Sequence, residues 1–384
     1  MSVTFKLEEF SNHNSHNHMR MKFAHFFILI ALVLGAMSIQ AQTTTLNTIP
    51  EGVITLNLAA TGSGQNLTSY FSLPLTADPV YTGVVSAISA STTNDDTISV
   101  ADSPAPWTSG ALATAAAPYF VKFLSGNETG RVILVTANTT NSVTLDITDH
   151  SSQTTPLNAT NFNVQVGDAF EISPADTLGS VFGNNTTQNP LLLNGSSSLF
   201  TADTVSLYNP ALFRWQAYYF NTTAGYWELS GTTTNANNTI LYPYGALTIT
   251  RRPNEAATAI AVTGRVAEVP IITKTTGSNA IVYGSTDYPA DLTLSQLQLG
   301  PNWSKSSSVF TADTISIWDA ALFRFDTYYQ LSTDSTWRKS GNSSTDQSSF
   351  VIPTGSAIGI LKRGTVSGQA SFVPTVSTLP YSLN

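Results

Sequence analysis

From Thr204 to Tyr208 the chain alternates, with Val205 and Leu207 on one face and an Asn209-Pro210 break behind them. Such a period of two marks a half-buried strand. Residues 212–220 continue the pattern: Phe213, Trp215, Ala217 and Tyr219 share a face that predicts a core-facing side, while Arg214, Gln216 and Tyr218 fill the other. Asn221-Thr222-Thr223-Ala224-Gly225 reads as a hairpin turn leading into Tyr226-Trp227-Glu228-Leu229. Upstream, the runs 84–88, 97–100, 131–135 and 143–147 are short, rich in β-branched residues and separated by Asn, Asp and Thr turn clusters. The single stretch of helical composition, 109–117, is Ala-rich and closed by Pro118, which predicts a loop or one helical turn.

The strand pattern occurs twice. Residues 196–208 read SSSLFTADTVSLY, and residues 306–318 read SSSVFTADTISIW. At the same spacing of 110 residues, Ala211-Leu212-Phe213-Arg214 matches Ala321-Leu322-Phe323-Arg324, Tyr218-Tyr219 matches Tyr328-Tyr329, and Trp227 matches Trp337. Pro243 and Gly245 answer Pro353 and Gly355, and Val181-Phe182-Gly183 is expected to answer Val282-Tyr283-Gly284. A unit of roughly 100 residues suits a duplicated domain better than a short stacked repeat.

These patterns predict an all-β protein: an N-terminal β-domain followed by two tandem, homologous domains of β-sandwich or β-barrel type. The expected boundaries are 42–177 for the N-terminal domain, 178–275 for the first copy and 276–384 for the second. The order Gly130-Arg131-Val132, Gly167-Asp168-Ala169-Phe170-Glu171-Ile172, aromatic strand, Trp-bearing hairpin and Pro-x-Gly turn resembles a family of exported, uncharacterised bacterial proteins. That resemblance implies export and a β-rich fold, and it transfers no catalytic residue.

The N-terminus changes the picture of where the protein works. The basic stretch Met19-Arg20-Met21-Lys22, the apolar run 26–35 and the small residue Ala41 have the three-part order of a secretory signal peptide. Residues 1–41 are therefore expected to be removed, with translation starting at Met19 or Met21 and residues 1–18 a mis-assigned start. The apolar run is shorter than the ~20 residues that span a bilayer, so no integral membrane segment is expected after cleavage. The predicted location is periplasmic, cell-surface or extracellular. A chain end of Tyr381-Ser382-Leu383-Asn384 and short strands argue against an outer-membrane barrel.

Composition narrows the chemistry. Beyond Ala41 there are 13 Lys and Arg against 22 Asp and Glu, an acidic balance that repels nucleic acid. Cysteine is absent, and of five histidines only His150 lies beyond the leader. Disulfides, thiolate nucleophiles and clustered zinc or copper ligands are thereby excluded, and no cofactor is implied. His150 sits in the turn Asp149-His150-Ser151-Ser152, and a solvated turn explains it better than a catalytic triad. Asn94-Asp95-Asp96 with Asp102, and Asp146 with Asp149, offer oxygen ligands for calcium but lack an EF-hand spacing; no metal site is expected.

Asp203 and Asp313, preserved by the repeat, are tempting as the paired carboxylates of a glycosidase. Each stands just before a strand in a different copy, so strand capping is the expected role, and no catalytic residue is assigned. Arg214 and Arg324 read as cations stacked on Tyr218 and Tyr328 rather than as anion anchors. Aromatic rings remain as the binding candidates: Tyr208, Trp318, Trp107 and Trp303 are the expected ligand surface, whereas Trp215, Trp227 and Trp337 suit a core. The expected function is a non-catalytic structural, adhesive or surface role in the envelope or outside the cell. The alternative is a carbohydrate-binding protein or polysaccharide-acting enzyme, with polysaccharide or other cell-surface components as partners.

Overall fold

The computed structural model describes residues 50–89, 95–101, 105–146, 164–209, 212–269, 272–275, 281–297, 299, 303–363, 371–374 and 379–381. Two strands come first, β1 (Glu51–Leu58) and β2 (Leu67–Ser72). The next seven are β3 (Tyr81–Ser89), β4 (Asp95–Val100), β5 (Ala113–Thr114), β6 (Ala117–Phe123), β7 (Val132–Asn138), β8 (Ser142–Asp146) and β9 (Ala169–Pro174). Helix α1 (Leu178–Phe182) precedes β10 (Thr204–Asn209), β11 (Arg214–Asn221), β12 (Tyr226–Leu229), β13 (Ala246–Arg251) and β14 (Thr258–Arg265). Then follow β15 (Ile272–Thr275), β16 (Ile281–Gly284), β17 (Leu292–Thr293), β18 (Thr314–Asp319) and β19 (Arg324–Gln330). The last are β20 (Trp337–Lys339), β21 (Val351–Ile352), β22 (Ile358–Leu361) and β23 (Ser371–Pro374). The all-β expectation holds, and the segment 109–117 forms turns and the short β5.

Strands β6-β7-β8-β4-β3-β9 form a ladder that closes on itself through β9 and β6, a six-stranded barrel. Val85, Ile98, Val121, Phe123, Ile133, Leu145, Phe170 and Ile172 pack together as its core. A filled apolar interior is the reverse of the polar lumen of membrane barrels.

Two five-stranded antiparallel sheets make up most of the remainder, β12-β11-β10-β13-β2 and β20-β19-β18-β22-β16. Segments that match in sequence hold matching places: β10 and β18 are central, β11 and β19 flank them, and β12 and β20 lie outermost. The register agrees too, since Val205 faces Tyr218 and Ile249 as Ile315 faces Tyr328 and Ile360. Each sheet is accompanied by a two-stranded ribbon, β1 with β14 and β15 with β23. Ile54, Leu56 and Leu58 of β1 point into the first sheet's core with Val205, Tyr218, Phe220, Trp227 and Ile249.

Two of the expected boundaries are corrected here. The fifth strand of the first sheet is β2, and its ribbon uses β1, so residues 51–72 join the first sheet rather than the N-terminal domain. The barrel is thus interposed between β2 and α1, where the second sheet has only the short connection 285–291 between β16 and β17. β15, expected in the first copy, pairs with β23 of the second. Short segments such as β2 carry too few identities to mark their equivalence, so order along the chain assigns them to the wrong unit.

Val181-Phe182-Gly183 does not answer Val282-Tyr283-Gly284: the former ends a helix and the latter lies in β16. The face assignment of β11 also reverses. Tyr218 and Phe220 enter the core with Val205, while Trp215 and Ala217 take the opposite side. Both parities of that strand are aromatic because both faces are covered, one by core and one by the second sheet.

Candidate functional site

Six rings meet where the two sheets face each other. Tyr70, Tyr208 and Trp215 come from the first sheet, Tyr283, Trp318 and Phe325 from the second. Small neighbours make room for them: Ser206, Ala217 and Thr248 lie beside the first three, and Ser316, Thr327 and Gly359 beside the others.

The contacts come in pairs. Tyr70 lies 4.5 Å from Trp318 and 4.8 Å from Phe325 between ring centroids, and Tyr283 lies 5.1 Å from Tyr208 and 5.2 Å from Trp215. Within each sheet, Tyr208–Trp215 and Trp318–Phe325 are 5.3 and 5.2 Å apart. The backbone obeys the same exchange: Ser72 N–H donates to Gly355 O at 2.8 Å, and Ser285 N–H to Tyr244 O at 3.0 Å. The two sheets are thus related by an approximate two-fold axis passing near the rings. Burial pushes the Tyr208 phenol up to about 12, with Tyr283 adding to the effect, and raises Tyr70 and Tyr283 as well. All three hydroxyls are neutral at physiological pH.

The two-fold relation breaks down at its edge. The Tyr208 hydroxyl donates to Ile281 O at 2.6 Å, which ties that ring to the second sheet. Its counterpart Trp318 instead forms a wall shared by two open clefts. One, of about 410 Å³, is bounded by the β1–β2 loop (Thr61, Gln65, Asn66), the start of β2 and Phe323. The other, of about 400 Å³, runs past Asn57, Ser69, Tyr70, Asp319, Asp326, Thr354 and Ser356. Hydroxyl, amide and carboxylate groups beside a half-buried indole form an amphipathic surface, apolar on the ring and hydrogen-bonding at its rim.

Phe323 reaches the first cleft from an unusual backbone. Its φ is 50°, and that of the matching Phe213 is 49°, a left-handed conformation costly for a bulky side chain. The turn before it is pinned by Asp319 Oδ1, which accepts from the Ala321 and Leu322 N–H groups at 2.9 and 3.0 Å. Both phenylalanines are about half exposed.

Trp107 and Trp303, expected as ligand surfaces, are buried instead and present no face to a ligand. Trp107 packs edge-on against Tyr81 at 4.7 Å in the barrel and donates its indole N–H to Thr139 O at 2.7 Å. Trp303 lies in the core of the second sheet near Trp337, with the Lys362 ammonium 5.2 Å from its ring. A sequence cannot separate a buried tryptophan from an exposed one in a loop, since both interrupt the alternation. Tyr70 and Tyr283 were missed because only a tyrosine and a serine, two residues apart, match between β2 and β16.

Asp203 and Asp313 act as caps. Asp203 accepts from the N–H groups of Asn194 (3.1 Å) and Arg252 (2.9 Å), and Asp313 from those of Ser304 (2.7 Å) and Arg363 (2.6 Å). Asp313 also takes the Lys362 ammonium at 2.5 Å. Arg324 reaches Asp326 at 3.3 Å, so its guanidinium is engaged by a carboxylate. Among the described residues no group of three or more His, Cys, Asp or Glu side chains could hold a metal ion. His150, Asp102 and Asp149 lie outside the described residues. No family model matches the chain, and no curated protein or solved structure is significantly similar to it.

Proposed function

We propose that this is an exported, non-catalytic protein that holds a glycan of the cell envelope or its surroundings, a role both adhesive and structural. The observation that carries the reading is Trp318, whose ring borders two clefts rimmed by hydroxyl and amide side chains. Sugars are recognised by that combination, an apolar ring face against the C–H side of a pyranose and hydrogen-bonding groups around it. The commitment of Asp203 and Asp313 to backbone N–H groups supports binding over hydrolysis. The signal-like N-terminus, the duplication and the resemblance to exported proteins support a place beyond the inner membrane.

The test uses the full mature chain on a glycan array and in pull-downs with insoluble polysaccharides, beside a reducing-sugar assay. Retention by at least one glycan, weakened in Trp318→Ala, is expected, with no sugar released. Silence across the array, or release of reducing ends, would overturn the reading. Mass spectrometry of the exported protein checks the leader: its N-terminus is expected at Gln42.

A further inference from the structure

We infer that the clefts on either side of Trp318 are one continuous groove for a neutral polysaccharide chain, with the indole lying between sugar positions rather than at the end of a pocket. This rests on the glycan-binding reading above and deepens it.

Continuity comes from β2. Leu67 and Thr68 line the first cleft, Ser69, Tyr70 and Phe71 line the second, and Trp318 is common to both. Five consecutive residues of an extended strand span about 13 Å, longer than a single pyranose ring. β2 is the outermost strand of its sheet among the described residues, so no further described strand of that sheet lies beyond Thr68. The β1–β2 loop prolongs it at one end and the turn 353–356 at the other. Each cleft alone falls within the ~300–1,000 Å³ of ordinary small-ligand sites. Together they accommodate several sugar units.

Charge selects the chain. Among the described residues no Lys, Arg or His lines either cleft, and Asp319 and Asp326 border the second. The nearby cations are already engaged, since Arg324 and Lys339 both pair with Asp326. Uronate or sulfate groups would meet the Asp319 carboxylate and find no free cation among the lining residues, since those near Asp326 are spent on it. Neutral hydroxyls instead find acceptors and donors along the rim.

One groove per chain is expected, not two. The ring that corresponds to Trp318 is Tyr208, and its hydroxyl is bound to the Ile281 carbonyl. Phe323, on its left-handed backbone, supplies a second ring to the lining of the first cleft.

Calorimetric titration of the full mature chain with neutral gluco- and manno-oligosaccharides, from mono- to hexasaccharide, tests this, with oligogalacturonates as the acidic comparison. Affinity is expected to rise with chain length beyond the disaccharide and then level off, at a stoichiometry of one. Trp318→Ala is expected to weaken binding by about tenfold or more, equal to ~1.4 kcal/mol. Since Trp318 also packs against Tyr70, Phe323→Ala on the exposed turn is the second variant, with a several-fold loss expected on an intact fold. A monosaccharide that binds as tightly as the longer chains would overturn the continuous groove. Tight, Trp318-dependent binding of oligogalacturonates would overturn neutrality while leaving the glycan reading intact. Absence of binding to any glycan, in titration and on the array, would remove both.

Discussion

The Arg265 guanidinium reaches the Glu171 carboxylate at 2.5 Å, joining the end of β14, in the ribbon beside the first sheet, to β9 in the barrel. Glu171 is also 3.4 Å from the Lys122 ammonium, and Arg265 pairs in addition with Glu268. Glu171, Lys122 and Arg265 are all buried, and burial pulls the Lys122 amine below its ordinary range despite Glu171 beside it. Thr76, just before the barrel, bridges Arg265 through the backbone as well. The barrel is therefore tied by charge to the ribbon beside the first sheet, near the place where the chain leaves that sheet.

Removing the shared anion leaves the buried Lys122 ammonium without its partner and close to Arg265, which keeps only Glu268. Glu171→Ala is expected to destabilise the protein by about 3–5 kcal/mol, the usual cost of orphaning a buried charge. Urea unfolding checks it. Arg324→Gln, at an exposed guanidinium paired with Asp326, is expected to cost no more than ~1 kcal/mol. Equal effects from the two would show that the buried network contributes no more than a surface pair.

Asp203 and Asp313 separate two roles that the sequence presents as one. Both cap backbone N–H groups, but only Asp313 also neutralises a buried lysine, because the first sheet has Arg251 where the second has Lys362. Arg251 turns instead to Glu255 and to the carbonyls of Ala59 and Ala256. Asp203→Ala is expected to cost about 1–3 kcal/mol through unmet N–H groups. Asp313→Ala should exceed it by a further ~1–3 kcal/mol through the stranded ammonium. Thermal or chemical denaturation of the two variants gives the difference directly.

Much of this architecture was legible in the alternation of residues. The strands around Val205, Tyr218, Ile98, Val135 and Leu145 lie where the pattern placed them, because each has one face in a core. The assignment of faces in β11 was not legible, since a strand covered on both sides has aromatic residues at both parities. Nor was the split of the first unit: pairing of β2 with β13 joins residues more than 170 apart, and no local signal reports that a barrel intervenes. At the candidate site, Trp318 was visible as a repeat position that stays aromatic. Its partners Tyr70 and Phe323 are set by the meeting of the sheets and by a left-handed turn, which only the tertiary structure discloses.

Asp176 marks a difference between the two units that pH should expose. Leu241 N–H donates to Asp176 O, in the place where the second unit pairs Ile352 with Leu292. A carboxyl thus stands where its counterpart is a buried leucine, and burial raises it from 3.8 to about 6. A folded-state value above the unfolded one means that the charged form is penalised in the fold. Stability is unaffected by the penalty below about pH 4, falls as pH rises from 4 to 6, and bears the full cost above that range. Asp176→Asn is expected to stabilise the protein at pH 8 by on the order of 2 kcal/mol and to change little at pH 4. A gain of the same size at both values would show that the carboxyl is not desolvated.

Phe213 and Phe323 test whether backbone strain serves the groove. A bulky residue at positive φ costs on the order of 1–3 kcal/mol, and such outliers persist where the surrounding structure or function demands them. Both rings are about half exposed, so little packing is lost on removing them, and glycine tolerates the left-handed conformation. Glycine also widens the unfolded ensemble, which offsets part of the gain. Phe213→Gly and Phe323→Gly are each expected to stabilise by roughly 0.5–1 kcal/mol in thermal denaturation, within the span of those two effects. Only Phe323 lines a cleft beside Trp318, so only its replacement should weaken glycan binding while stability rises. Equal binding losses in both variants would mean that the turns act together at a surface away from Trp318, and a loss of stability in both would show that the rings hold the hairpins rather than strain them.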